Sequence, residues 1–132
     1  MPINLHRELT RHALPGLDHR TVAGPEHGMR DLEVWLQTVE PGAGTPVHRH
    51  DCEEVIVILE GGGTCTIGDD VVRFGADSTL IIPRDAVHQL VNTGDVPIRL
   101  VGILGAALVA VKTADGAPIP LPWQAAYAAA TP

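Results

Sequence analysis

Aromatic side chains are scarce in this chain. Trp35, Phe74, Trp123 and Tyr127 are the only ones among 132 residues, 3% of the total. Any core must therefore be built from Val, Ile, Leu and Ala. With 14 Gly and 11 Pro interrupting those runs, the pattern excludes long helices and favours many short strands. Basic residues are also few, 9 against 16 acidic ones, for a net charge of −7. No basic patch is present, so nucleic-acid binding is not expected. The longest uncharged apolar run, Leu100 to Val111, is far shorter than the ~20 residues a membrane helix requires. Only two cysteines occur, Cys52 and Cys65, too few for a disulfide framework. Reduced thiols in a cytoplasmic protein are the expectation, and no apolar leader segment stands at the start. The excess of Ala, Gly, Pro and Arg over Lys suits a bacterial source.

What is present reads as one domain over residues 1–132, with a barrel at about 17–112 and a C-terminal extension at 113–132. Strands are expected at Leu32–Val39, Val55–Leu59, Thr64–Ile67, Val71–Phe74, Thr79–Ile82, Val87–Val91, Ile98–Leu104 and Leu108–Val111. Val55–Leu59 is continuously apolar and reads as buried on both faces. Breaker clusters at Glu40–Gly44, Gly61–Gly63, Gly68–Asp70 and Asn92–Asp95 separate these runs. So many short strands in one domain predict an all-β jelly-roll barrel. A short helix is expected only at Gln124–Ala130.

Of seven histidines, His6, His12, His19 and His27 follow no pattern and read as solvated surface residues. His48 and His50 differ, because a spacing of two on a strand sends both imidazoles to one face, and Glu54 follows at another even step. His88 lies in a later strand that a barrel can bring across. Three imidazoles and one carboxylate suit a divalent transition metal, Zn²⁺, Mn²⁺ or Fe²⁺, with coordination positions left open. Taken alone, a His-x-His pair can arise by chance, and Glu53–Glu54 can be a solvated acidic step beside Arg49. Glu33, Trp35 and Gln37 share one strand face. Glu33 could orient a ligand histidine or pair with Arg30.

The wider constellation resembles the cupin superfamily. Gly42, His48-x-His50, Glu54 and Gly61 have the spacing of the first cupin motif, and Pro83, His88 and Asn92 that of the second. Two glycines of the second motif are replaced here, by Asp77 and Asp85. Thr21–Gly24, His27–Met29, Glu33–Thr38, Pro41–Gly42 and Thr45–Val55 more narrowly resemble the plant auxin-binding protein family, with Ile82–Pro83, His88–Gln89, Asn92 and Trp123 continuing the likeness. That resemblance implies a double-stranded β-helix that forms a homodimer and holds zinc through His48, His50, Glu54 and His88. It further implies that a small aryl carboxylate binds with its carboxylate on the metal. Thr45 and Pro46 would flank the carboxylate and the ring, Gln37 would offer a polar contact, and Trp35, Leu121 and Trp123 would line the ring pocket. Ile56 and Leu121 stand where the family has aromatic residues, so the ring cage is less aromatic. The family's inter-terminal disulfide and retention tail have no counterpart, and Cys52 reads as a buried free thiol. The rival expectation is a metal-dependent enzyme (dioxygenase, isomerase or decarboxylase) with Glu33 as the one candidate base. A barrel that carries the metal without using it is the third.

Overall fold

The computed structural model describes residues 3–124. Nine strands run β1 (His12–Leu14), β2 (Leu17–Ala23), β3 (Glu33–Val39), β4 (Glu54–Glu60), β5 (Gly63–Ile67), β6 (Asp70–Phe74), β7 (Ser78–Ile82), β8 (His88–Val91) and β9 (Ile98–Leu104), with two one-turn 3-10 segments at His6–Glu8 and Pro25–His27. A six-stranded sheet has the order β1-β2-β3-β9-β4-β7, and a three-stranded sheet the order β6-β5-β8. Every pairing is antiparallel. The chain is thus an all-β jelly roll.

Alternation decides which residues face the interior. In β3, Glu33, Trp35, Gln37 and Val39 are buried, while Val34, Leu36 and Thr38 are half-buried on the outer face. The same rule corrects the expectation for Val55–Leu59. Ile56 and Ile58 are buried, but Val55 and Val57 are half-buried and Leu59 is exposed, because β4 is covered on one face only. Two apolar clusters fill the interior. One joins Leu17, Val39, Ile56, Ile58, Leu90, Ile98 and Leu100 around Cys65. The other joins Trp35, Cys52, Leu104, Val109, Val111, Leu121 and Trp123.

Other expectations shift for identifiable reasons. His12–Leu14 forms a strand by pairing with β2, which its local pattern did not show. Leu108–Val111 is not a strand. It is an irregular segment in which Val109 and Val111 are buried and Leu108 is exposed. Residues 122–124 have helical backbone, and the remainder of the helix expected at Gln124–Ala130 lies outside the described residues. Asp77 and Asp85, which stand where the motif has glycine, both have left-handed backbone, at φ 61° and 63°. Aspartate is among the few side chains that tolerate this region, so the turn survives the replacement. Asp85 also accepts a hydrogen bond from Arg49 Nη1 at 3.0 Å.

Asn92 closes the loop before β9. Its Nδ2 donates to the carbonyls of Val39 (3.0 Å) and Val96 (2.8 Å), and its Oδ1 accepts from Gly94 N at 2.9 Å. Asn92→Ala leaves the fully buried Val39 carbonyl without that donor. It is expected to lower stability by about 2 kcal/mol, read from the urea midpoint.

Candidate metal centre and its pocket

Four side chains converge inside the barrel. His48 and His50 lie on an extended segment rather than a regular strand, with His48 bridged to His88 and Arg49 to Lys112. Glu54 opens β4 and His88 opens β8. One donor atom from each of the four comes within 4.8 Å of the others, and all four residues are buried. Even spacing puts His48 and His50 on one side, a bend at Asp51–Cys52 turns Glu54 toward them, and the barrel carries His88 across.

Backbone carbonyls fix the three imidazoles. Nδ1 of His48 donates to Pro46 O (2.6 Å), Nδ1 of His50 to Ala110 O (2.8 Å) and Nδ1 of His88 to Ala86 O (2.9 Å). A carbonyl can only accept, so each ring carries its proton on Nδ1 and turns the Nε2 lone pair inward. His50 Nε2 and His88 Nε2 stand 3.4 and 3.2 Å from Glu54 Oε1, and these three buried atoms have no hydrogen-bond partner. Lone pairs aimed at a carboxylate oxygen repel it unless a cation lies between them. Three imidazole nitrogens and a carboxylate are the donor set that a divalent transition metal accepts, so the residues fit the group.

Without a metal ion, protons on the Nε2 atoms would take its place between these donors and the carboxylate. Burial alone would raise the Glu54 carboxyl, but His50 and His88 outweigh it and hold the pKa at about 2. Burial pushes His48 down to about 4, aided by the neighbouring His88. Burial also disfavours the charged form of His50, but the Glu54 carboxylate overcomes this and raises its pKa. Both thiols are pushed up by burial, Cys65 to about 11, so neither offers a thiolate.

The cavity beside the cluster is lined by all the residues expected there, Trp35, Gln37, Thr45, Pro46, Leu121 and Trp123, together with Ile56 and the four metal-ligand candidates. Trp35 and Trp123 meet edge to face at 5.6 Å. Thr45 Oγ1 accepts from Leu90 N at 3.0 Å, which ties this loop to β8. Glu33 supports a ligand histidine indirectly. Its Oε1 accepts from Trp35 Nε1 (3.0 Å) and its Oε2 from Val109 N (2.7 Å), fixing the Trp35 indole and the segment whose next residue, Ala110, holds His50.

Two contributors were not anticipated. His19, expected on the surface, is completely buried. Its Nδ1 accepts from Gln37 Nε2 at 3.0 Å, and its Nε2 donates to Thr21 Oγ1 at 2.8 Å. Burial, with a contribution from His12, lowers its pKa to about 3. Only its even spacing from Leu17 and Thr21 hinted at an inward face. Gly102, on β9 opposite Trp35 and Ile56, leaves room for Glu54. A Cβ there would lie 3.2 Å from Glu54 Oε2. A glycine within an apolar strand is the sequence mark of such a close approach.

Comparison with known proteins follows the geometry. The "Auxin binding protein" family model matches residues 6–115. Auxin-binding protein 1 of Arabidopsis thaliana is 44% identical over 100 residues, covering 68% of this chain and 50% of that protein. Auxin-binding protein T92 of Nicotiana tabacum is 43% identical over 91 residues, covering 61% and 49%. The chain thus spans about half the length of the curated relatives it matches. Among solved structures, an RmlC-like cupin from Shewanella frigidimarina superposes with a TM-score of 0.71 at 16% identity, over 80% of this chain and 90% of that one. The polyketide cyclase RemF from Streptomyces resistomycificus gives 0.70 at 20% identity, over 80% and 79%. At such low identities these structures share the fold.

Gly102→Val is expected to crowd Glu54 and weaken zinc binding by roughly tenfold or more, measured against a competing chelator. His19 supplies a pH dependence. The unfolded chain takes up a proton near pH 6.5 that the folded chain refuses until about pH 3, so this stability is present above 6.5 and lost as pH falls toward 3. His19 alone is expected to cost the metal-free protein about 2 kcal/mol between pH 7 and pH 5, read from urea unfolding.

Proposed function

The chain belongs to the auxin-binding protein family of the cupin superfamily, and on that premise we propose that it binds small aryl carboxylates of the indole- or arene-acetate type at a divalent metal. The observation that carries this reading is the convergence of His48, His50, Glu54 and His88 at one end of a cavity whose other wall is Trp35, Leu121 and Trp123. A site for an anion with a flat apolar body needs both halves side by side.

His48, His50 and His88 would hold the metal through Nε2 and Glu54 through its carboxylate. Zinc is the proposed ion, since it accepts this mixed nitrogen and oxygen set. When bound, the ion supplies positive charge and open coordination positions to a carboxylate. Trp35 and Trp123 exclude water from the ring and orient it, while Thr45 and Pro46 flank the carboxylate end and Gln37 offers a polar contact. Glu33, the candidate base of the enzymatic reading, accepts from Trp35 Nε1 and Val109 N.

The protein is further proposed to be a homodimer. Val34, Leu36, Val55, Val57, Ile81, Val101 and Ile103 lie across β3, β9, β4 and β7 on the outer face of the large sheet, with Ile81 63% exposed. Two unpaired thiols suit a reducing, cytoplasmic compartment. No helix among the described residues is long and apolar enough to cross a membrane.

Calorimetric titration of the zinc-loaded protein with indole-3-acetate and benzoate tests the binding reading. One-to-one binding is expected, lost on zinc removal and in His48→Ala. Absence of heat for both acids, with zinc shown to be bound, overturns it.

A further inference from the structure

One buried imidazole backs the cavity wall. His19 does not itself line the cavity, yet it contacts three residues that do. Its ring stacks on Trp123 with centroids 3.5 Å apart and planes 5° from parallel. It meets the edge of Trp35 at 5.1 Å and 71°. It also accepts the amide hydrogen of Gln37 while donating to Thr21. His12 is the other imidazole nearby, at 6.4 Å. A stack this close and this parallel fixes the tilt of the Trp123 indole, and the amide bond fixes the rotation of Gln37.

We infer that His19 is a positioning residue that locks Trp123, Trp35 and Gln37 into one rigid wall, and so sets the pocket's preference for ring-bearing over ringless carboxylates. Its two functions are chemically separable. Stacking requires only a flat ring, whereas holding Gln37 requires the Nδ1 lone pair. No other side chain supplies both in the volume of a buried imidazole. His19 touches none of the four metal-ligand candidates, so its influence should fall on the ring and leave the metal end unchanged. The ring preference rests on the carboxylate-binding reading above. The rigid wall does not.

The test uses the full chain loaded with zinc, as wild type, His19→Ala and His19→Phe, titrated with indole-3-acetate and with acetate. In His19→Ala the affinity for indole-3-acetate is expected to fall roughly tenfold, the size of one aromatic contact, while acetate affinity and zinc content stay within about twofold. His19→Phe, which keeps a ring against Trp123, should recover a large part of the loss. Equal weakening of both acids, or no change in either, would overturn the role in ring selection.

A second readout needs no ligand. Trp35 and Trp123 are the only tryptophans in the chain, so selectively excited tryptophan emission reports this wall alone. In the wild type, nitrogen NMR should show His19 protonated on Nε2 and bare on Nδ1. The Gln37 side-chain amide signal should shift in both variants, and the tryptophan emission should shift in His19→Ala more than in His19→Phe. If the wild type binds neither indole-3-acetate nor benzoate, the proposed function falls while these spectra still decide the role of His19. An unchanged Gln37 signal or a His19 proton on Nδ1 overturns it.

Discussion

A buried carboxylate with imidazole lone pairs turned toward it is the constraint on which this structure depends. Glu54 lies inside the barrel, where an uncompensated charge would be costly, and His50 and His88 face the same oxygen through their Nε2 atoms. The surrounding backbone enforces the arrangement, because carbonyls of Pro46, Ala86 and Ala110 each claim an Nδ1 proton. These three carbonyls come from three separate stretches of chain. The donor cluster is therefore a product of closing the barrel, and a cation between the donors would in turn tie those stretches together.

Around this cluster the interior is arranged as linked supports. Glu33 holds both the Trp35 indole and the Val109 backbone. Gln124 Nε2 donates to the Val109 carbonyl at 2.5 Å, which draws residues 122–124 over the cavity and brings Trp123 against Trp35. His19 completes the wall from behind. The polar residues of β2 and β3 buried here stand in for bulk apolar packing, consistent with a chain that has so few aromatic rings with which to build a pocket.

Much of this was legible in the residues. Even spacing placed His48 with His50, and Glu33 with Trp35 and Gln37, because alternation along extended backbone is local, whereas Glu54 joins the histidines through a bend at Asp51–Cys52. The motif's turn positions were equally readable. Asp77 and Asp85, at the motif's glycine positions, have left-handed backbone. Less legible was burial. Val55–Leu59 looked buried on both faces because its composition is uniformly apolar, whereas burial depends on what lies beyond each face of the large sheet. His19 looked solvated because its neighbours in sequence are polar.

What the sequence determined by itself was local and periodic: many of the short strands, the turns between them, and the identity of the four metal-ligand candidates. What only the tertiary structure decided was which groups meet across the barrel. Leu108–Val111 has strand composition but is irregular, with Val109 N bound by the Glu33 carboxylate and Ala110 O by the imidazole of His50. Gly102 gains meaning only from Glu54 lying above it, and His19 only from Trp123 stacking on it. The reason is physical. Backbone geometry repeats over two residues and can be read from a short window, whereas hydrogen bonds and ring contacts between residues 76 or more than a hundred positions apart exist only once the sheets have closed.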